Sequence, residues 1–509
     1  MSLEQTFRNI ATDPHLSPKQ KSNYLSLEAD AAIPYPSISD ELKQAMEQGV
    51  ICDIFEGHAP FKPRYVLPDY AKFLKQGSKY LELEPATNLD EAINALTILY
   101  HHVPSVTNIP VYIGQLDEVL LPYVKDVDEE TLYQKLKLFW IMLDRTLPDA
   151  FMHANIGPTD NIVCRTILKV DAELKQIAPN LTFMHDPQQT PDDLLQLAAN
   201  CICECSKPHI ANYPIHAQTY DDTGFAIVSC YNSLPLAGGA NTLVRLNLKE
   251  VANRTDNTQH FMSETLPHYC QLMFELIEAR TSFLHGESHF FNSFLVEEEL
   301  IYEDRFAPMF GIYGMAETVN ILQQKSNKEG RYGVDSEANQ LGHSISAKLD
   351  SIVKNTPVSY GWHGRALLHA QGGISLDKEV TPGVRIPYGD EPDPVSHIQA
   401  LAAHHQYYSS GISDILTIDE TVKDNPQAMF QLAKGALSIG FREFTANVAS
   451  NDLVRVTGYM IKLSDIAKFS QQGSRTNTTG LGAEAAENTN ILNRKPRVVS
   501  HEQDPSYSQ

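Results

Sequence analysis

Leu453-Val454-Arg455-Val456-Thr457-Gly458-Tyr459-Met460 is the most informative stretch of the chain. Alone, a glycine among β-forming residues marks a strand that bends or turns. Glycine also lets another group approach its Cα closely, because no Cβ stands in the way. At average composition, Arg-Val-x-Gly-Tyr arises by chance in roughly a few chains per thousand of this length, so it carries more than a turn signal. Around it lie 509 residues, 42% hydrophobic and 9% aromatic, enough for a sizeable core and against wholesale disorder. Lys plus Arg number 40 against 63 Asp plus Glu, a net charge of −23. Such an acidic chain is a poor candidate for binding nucleic acid or anionic lipid. No apolar run is long enough for a transmembrane helix, and the N-terminus has no basic start before an apolar stretch. Seven scattered cysteines do not form a disulfide framework. A cytoplasmic protein is expected.

Working outward, Asp90–Val103, Asp128–Leu147 and Leu266–His285 show apolar residues at helical spacing, the first two behind acidic starts. Thr190-Pro191-Asp192-Asp193 reads as a helix start, with Thr190 as cap. No repeat or rich linker divides the chain, so one large α/β domain is expected. The segment after Gln471 is polar and reads as a loose or wrapping extension. Neither GxGxxG nor GxxxxGK[ST] occurs, which removes dinucleotide and P-loop chemistry. His285 and His289 lack the HExxH order of a zinc protease. Cys201, Cys203 and Cys205 have no second cysteine pair, and buried packing at a helix end is their plainer reading. No bound metal is expected.

The Gly458 stretch resembles the radical-bearing loop of the glycyl radical enzymes. A Cα radical is stabilised by the flanking amide nitrogen and carbonyl, and this needs a planar Cα that a side chain would crowd. The resemblance implies a ten-stranded β/α barrel with a cysteine finger loop inside and a C-terminal glycyl radical loop. A cysteine thiol then passes hydrogen atoms between glycine and substrate, and an apolar setting keeps that thiol protonated. Cys230 fits best. Asp221 to Ser229 reads as an apolar strand ending on it, Tyr231 to Gly239 is a turn-rich tip, and Leu243–Leu248 alternates like a return strand. Gly458 follows 228 residues later (458 − 230). Gly311-Ile312-Tyr313-Gly314-Met315-Ala316-Glu317 and the Phe444–Val448 strand resemble further family segments, in the family's order. With Gly473-Ser474-Arg475-Thr476-Asn477-Thr478-Thr479 and the terminal 494–503 stretch, the whole is most similar to the YjjI-type family.

Departures narrow the chemistry. Pyruvate formate-lyase has adjacent cysteines at its finger tip, whereas Ser229 precedes Cys230 here. The dehydratases and C–N lyases carry Cys-x-Glu, whereas Asn232, which cannot titrate, stands two after Cys230. No cysteine follows Cys270, so the zinc ribbon of the anaerobic ribonucleotide reductases is missing. Arg365 and Arg385 are candidates, with Asn232, for contact with a substrate carboxylate or phosphate. The expectation is a barrel domain over 1–440 and a radical segment over 441–509. Gly458 stores the radical and Cys230, as a thiyl, takes hydrogen from a small organic substrate without oxygen. The resemblance implies a separate radical S-adenosylmethionine activase as partner, and it allows a homodimer. The rival expectations are an acyltransferase of the formate C-acetyltransferase kind and a non-catalytic relative that only binds.

Overall fold

A computed structural model describes residues 2–53, 61–105, 108–147, 151–370, 377–412, 414–476, 479–488, 491–493 and 496–499. The strands in chain order are β1 (Ile51–Asp53), β2 (Tyr65–Leu67), β3 (Tyr112–Gln115), β4 (His153–Ile156), β5 (Asn180–His185) and β6 (His209–Asn212). Then come β7 (Phe225–Val228), β8 (Asn232–Pro235), β9 (Gly238–Asn247), β10 (Phe306–Tyr313) and β11 (Leu367–Ala370). The C-terminal part adds β12 (Leu416–Ile418), β13 (Glu443–Phe444), β14 (Ala446–Val448), β15 (Leu453–Arg455) and β16 (Met460–Lys462). Two five-stranded sheets form the body. In one, β3, β4, β5 and β6 run parallel and β13 closes the edge antiparallel to β6. In the other, β9, β10 and β11 run parallel, with β1 and β2 antiparallel to β9.

The strands of the first sheet are covered on both faces, yet their polar residues recur with period two. His153 and Asn155 on β4, Asn180 and Thr182 on β5 and His209 on β6 share one face, in the register His153↔Asn180 and Asn155↔Thr182↔His209. Ala154, Leu181, Phe183 and Ile210 take the other face and are fully buried in the core. A buried polar face needs partners. The β7–β8 finger meets part of that need, packed against β3 and β4 on one side and β9 and β10 on the other.

Helices Leu89–Tyr100, Glu129–Thr146 and Leu266–Gly286 fall where the periodicity places them. Asn88 and Asp128 cap the first two, each side chain accepting a backbone N–H. The helix Asp192–Cys205 has Pro191 at its N-cap and no side-chain cap. Thr190 is turned away; its hydroxyl donates to Pro158 O at 2.8 Å. The finger also differs from its expected form. Its return strand is β8, paired directly with β7. The alternating Leu243–Asn247 run belongs to β9, which pairs with β1 and β10.

Gly458 sits in the turn between β15 and β16. The tail beyond it wraps the body. Helix Leu463–Gln472 is followed by contacts to the N-terminus, where Gln20 Nε2 donates to Ser474 O at 2.7 Å. The Arg475 guanidinium donates to Asp144 Oδ2 at 2.6 Å. Arg497 bridges to β12, its N–H donating to Thr417 O at 3.1 Å. Most of the 494–503 stretch lies outside the described residues.

Candidate active site

Cys230 stands at the apex of the finger, between Ser229 (φ 50°) and Tyr231 (φ 67°). Two non-glycine left-handed residues flanking one position are costly. They persist because side chains of the first sheet hold the β7 arm of the finger up to its tip. Asn155 acts as a strand: its Nδ2 donates to Ile227 O at 2.7 Å, and its Oδ1 accepts the Ile227 N–H at 2.9 Å. His153 Nδ1 faces Ser229 O at 3.2 Å, and its Nε2 faces Thr182 Oγ1 at 2.6 Å. A carbonyl can only accept, so Nδ1 carries the proton and Nε2 accepts from Thr182. Burial holds His153 near pKa 3, so it stays a neutral imidazole. Tyr65 Oη donates to Ser229 Oγ at 3.3 Å, and Ser229 Oγ donates to Cys230 Sγ at 3.6 Å.

Gly458 meets the finger at its tip. A Cβ built on Gly458 would overlap Cys230 Cα and lie 2.6 Å from Cys230 C and Cβ. No residue other than glycine fits that approach. The carbonyl of Gly458 accepts from Asn180 Nδ2 and from Arg455 Nη1, the latter at 3.4 Å. Arg455 also donates to Asn180 Oδ1 at 3.1 Å and, through Nη2, to Ser206 O at 3.2 Å. Asn447 fixes the backbone of Arg455 with two bonds of 2.8 Å. Tyr231 Oη donates to Thr457 O at 2.8 Å, and its ring meets His209 edge-on at 4.6 Å. The two loops are thus tied to each other and to the same polar sheet face.

The electrostatics favour a neutral thiol. Burial pushes Cys230 above the ordinary thiol value, opposed in part by the Thr457 and Ser229 hydroxyls and the Gly458 backbone. Asn232 is buried, two residues beyond Cys230; its Nδ2 donates to Val228 O at 3.1 Å and its Oδ1 accepts no bond from the described residues. Arg385 is buried, its Nη1 donating to Tyr388 Oη at 3.0 Å, with Asp414 and Tyr231 in electrostatic reach. Arg365 is exposed and lines an outer cavity of about 660 Å³ with Lys354, Trp362, His363 and Arg442. Cys230 and Gly458 do not line that cavity. His285 is engaged by Glu303 and stacks on Phe291 and Tyr360. Sequence reading missed His153, Asn155, Asn180, Thr182 and Arg455. The available signal was period-two polarity in His153-Ala154-Asn155-Ile156 and Asn180-Leu181-Thr182-Phe183.

The glycyl radical enzyme YjjI-like family matches residues 16–497. The YjjI protein of Escherichia coli (strain K12) is 61% identical over 509 residues, covering 100% of this chain and 99% of that protein. A Haemophilus influenzae protein is 38% identical over 468 residues, 90% of each. Among solved structures, the hydroxyproline dehydratase of Clostridioides difficile superposes with a TM-score of 0.73 at 12% identity, covering 98% of this chain and 89% of its own. A glycyl radical enzyme from Archaeoglobus fulgidus gives 0.72 at 12% identity, over 97% and 87%. The fold is therefore the ten-stranded β/α barrel of these enzymes, with the cysteine finger inside and the glycine loop against it. Among the described residues no helix is long and apolar enough to cross a membrane. The chain belongs to the YjjI-like family of glycyl radical enzymes.

Proposed function

We propose that Gly458 stores a backbone radical and that Cys230 is the relay between it and a small organic substrate, in the absence of oxygen. The observation that carries this reading is the approach of Gly458 Cα to the Cys230 backbone, too close for any Cβ. Hydrogen-atom transfer needs reacting atoms about 3–3.5 Å apart, which such contact allows. The thiol hydrogen moves to Gly458 Cα, restoring an ordinary glycine and leaving a thiyl on Cys230. The thiyl then takes a hydrogen atom from a substrate carbon, restoring the thiol and leaving the unpaired electron on the substrate. The raised thiol pKa supports the first transfer, since only the S–H form can give a hydrogen atom.

Asn232 and Arg385 are the proposed substrate contacts. The unpartnered Oδ1 of Asn232 suits a substrate hydroxyl or amine, and Arg385 suits a carboxylate or phosphate. Arg365, exposed on the outer cavity, suits capture of such an anion before it moves inward. An amide at position 232 supplies no base, which separates this site from Cys-x-Glu chemistry. Ser229 in place of a second cysteine likewise weighs against acyl transfer. The radical is installed by a separate radical S-adenosylmethionine activase, toward which the 441–509 segment carries Gly458 out of the barrel. Since β13 pairs with β6 and β14 with β12, only the part of that segment after Val448 moves, and the hinge falls there.

The test is anaerobic activation followed by metabolite profiling of wild-type protein against Cys230→Ala. A metabolite consumed only by the wild type supports the relay. Equal consumption by both overturns it, and no consumption by activated wild type with a broad anionic pool overturns the substrate class.

A further inference from the structure

The cysteines at the end of helix Asp192–Cys205 take no part in the radical relay. Cys201 and Cys205 lie four apart, share one helical face and are buried. Their Sγ atoms are 3.7 Å apart. A carboxylate oxygen of Asp171, from the neighbouring helix Ile162–Leu174, lies within 4.8 Å of both. Asp171 is wholly buried. Its Oδ1 accepts from Lys207 Nζ at 2.7 Å and Trp140 Nε1 at 3.0 Å, while its Oδ2 accepts nothing among the described residues. A buried acceptor without a partner costs about 1–3 kcal/mol, and more when charged. The cluster is thus three metal-ligating groups in reach of one another, one with an unspent lone pair.

We propose that Cys201, Cys205 and Asp171 bind a zinc-class divalent cation, which fastens the C-terminal end of helix Asp192–Cys205 beneath the radical loop. The spacing of the two sulfurs fits before any movement, and the carboxylate has only to close from within 4.8 Å. Two sulfurs on a tetrahedral zinc at about 2.3 Å stand about 3.8 Å apart, against the 3.7 Å observed. Two thiol ligands select a borderline or soft cation over magnesium or calcium. Charge balances as well. Before binding, the Asp171 carboxylate and Lys207 ammonium cancel and the thiols are neutral. On binding, both thiols release protons to solvent, and two thiolates, one carboxylate, one ammonium and a divalent cation again sum to zero. No electron is transferred. Cys203 is outside the set, its Sγ directed to Val422 O at 3.8 Å.

The position gives the ion its consequence. Ser206, the next residue after the helix, accepts from Arg455 Nη2 at 3.2 Å through its carbonyl. Its hydroxyl accepts from Asn451 Nδ2 at 3.1 Å and from the Val448 N–H at 3.3 Å. Arg455 in turn holds the Gly458 carbonyl. A cation joining the two helices therefore stiffens the anchor of the radical loop. This inference is an alternative to the expectation that no metal is bound, and it stands independently of the radical chemistry.

The experiment uses the full chain without activation. Protein purified anaerobically and dialysed against zinc is assayed for metal, and a parallel sample is loaded with cobalt(II). Wild type and Cys203→Ser are expected to hold about one equivalent, with Cys201→Ser, Cys205→Ser and Asp171→Asn losing affinity by about tenfold or more. The cobalt form is expected to show thiolate-to-metal charge-transfer absorption and tetrahedral ligand-field bands. The cobalt spectrum of the wild type decides the matter if the variants fail to fold. Substoichiometric zinc in the wild type overturns the proposal. So does metal retained unchanged in folded Cys201→Ser, a cobalt form without thiolate bands, or a Cys201–Cys205 disulfide in the anaerobic protein.

Discussion

A methyl group at Gly458 has nowhere to go, because its neighbours are the backbone and Cβ of Cys230 rather than the yielding end of a long side chain. Gly458→Ala is therefore expected to destabilise the protein by about 1–3 kcal/mol through overpacking, read as a lowered denaturation midpoint, and to form no glycyl radical on anaerobic activation. An alanine variant as stable as wild type contradicts the packing. At Cys230, burial raises the thiol pKa, so the protonated, hydrogen-donating form persists as pH rises and is lost only above the ordinary thiol value of 9.0. Exchange of the Gly458 hydrogen with solvent through that thiol should keep its rate from neutrality to pH 9.0. A rate that declines across that range, tracking thiolate formation, counts against a buried neutral thiol. That these two residues meet was legible in the sequence because the proposed chemistry tolerates almost no substitute for either. Asn180 and Arg455, which hold the glycine carbonyl, were not, since an Asn in a strand and an Arg beside a turn have many ordinary uses.

The finger is an element that cannot stand alone. Two four-residue strands with a strained tip would not persist in water, and their order comes from the polar face of β4 and β5. Asn155→Ala removes both bonds to Ile227 and leaves a buried N–H and carbonyl without partners. The expected loss is about 1–3 kcal/mol for each orphaned group. Yield of the glycyl radical in the folded variant should survive better than substrate turnover, because the thiol is displaced while Gly458 keeps its own anchors. Denaturant melts paired with radical quantification check this, and an unchanged melting profile contradicts the anchoring role. The position of the finger was legible from the apolar approach of Phe225–Val228 to a cysteine. Its width was not. Asn232-Ser233-Leu234-Pro235 has the composition of a turn, and it is held as a strand only because β7 and the barrel interior supply its partners. Leu243–Asn247 alternates for a different reason, as part of a barrel strand.

On the scale of the molecule, the long helices were readable from periodicity, whereas the short barrel strands were not. His153–Ile156 and His209–Asn212 have four residues each and polar side chains aimed inward, so neither length nor apolar content announces them. The tail was readable as a wrapping segment by its polarity, but the attachment of Arg475 to Asp144, 331 residues away, and of Arg497 to β12 needed the fold. If the stored radical resides in this C-terminal segment, air admitted after activation should cut the chain at Gly458 and release the piece that ends at Gln509. Mass spectrometry that finds the activated, aerated chain intact, or broken elsewhere, contradicts the assignment. The most direct test of the whole account is electron paramagnetic resonance of the anaerobically activated protein in ordinary and in heavy water. The expected signal is a doublet from the single remaining Gly458 hydrogen, which collapses to a singlet in heavy water as Cys230 passes in solvent deuterium, but stays a doublet in Cys230→Ala. A doublet that persists in Gly458→Ala, or that collapses equally without Cys230, would contradict it.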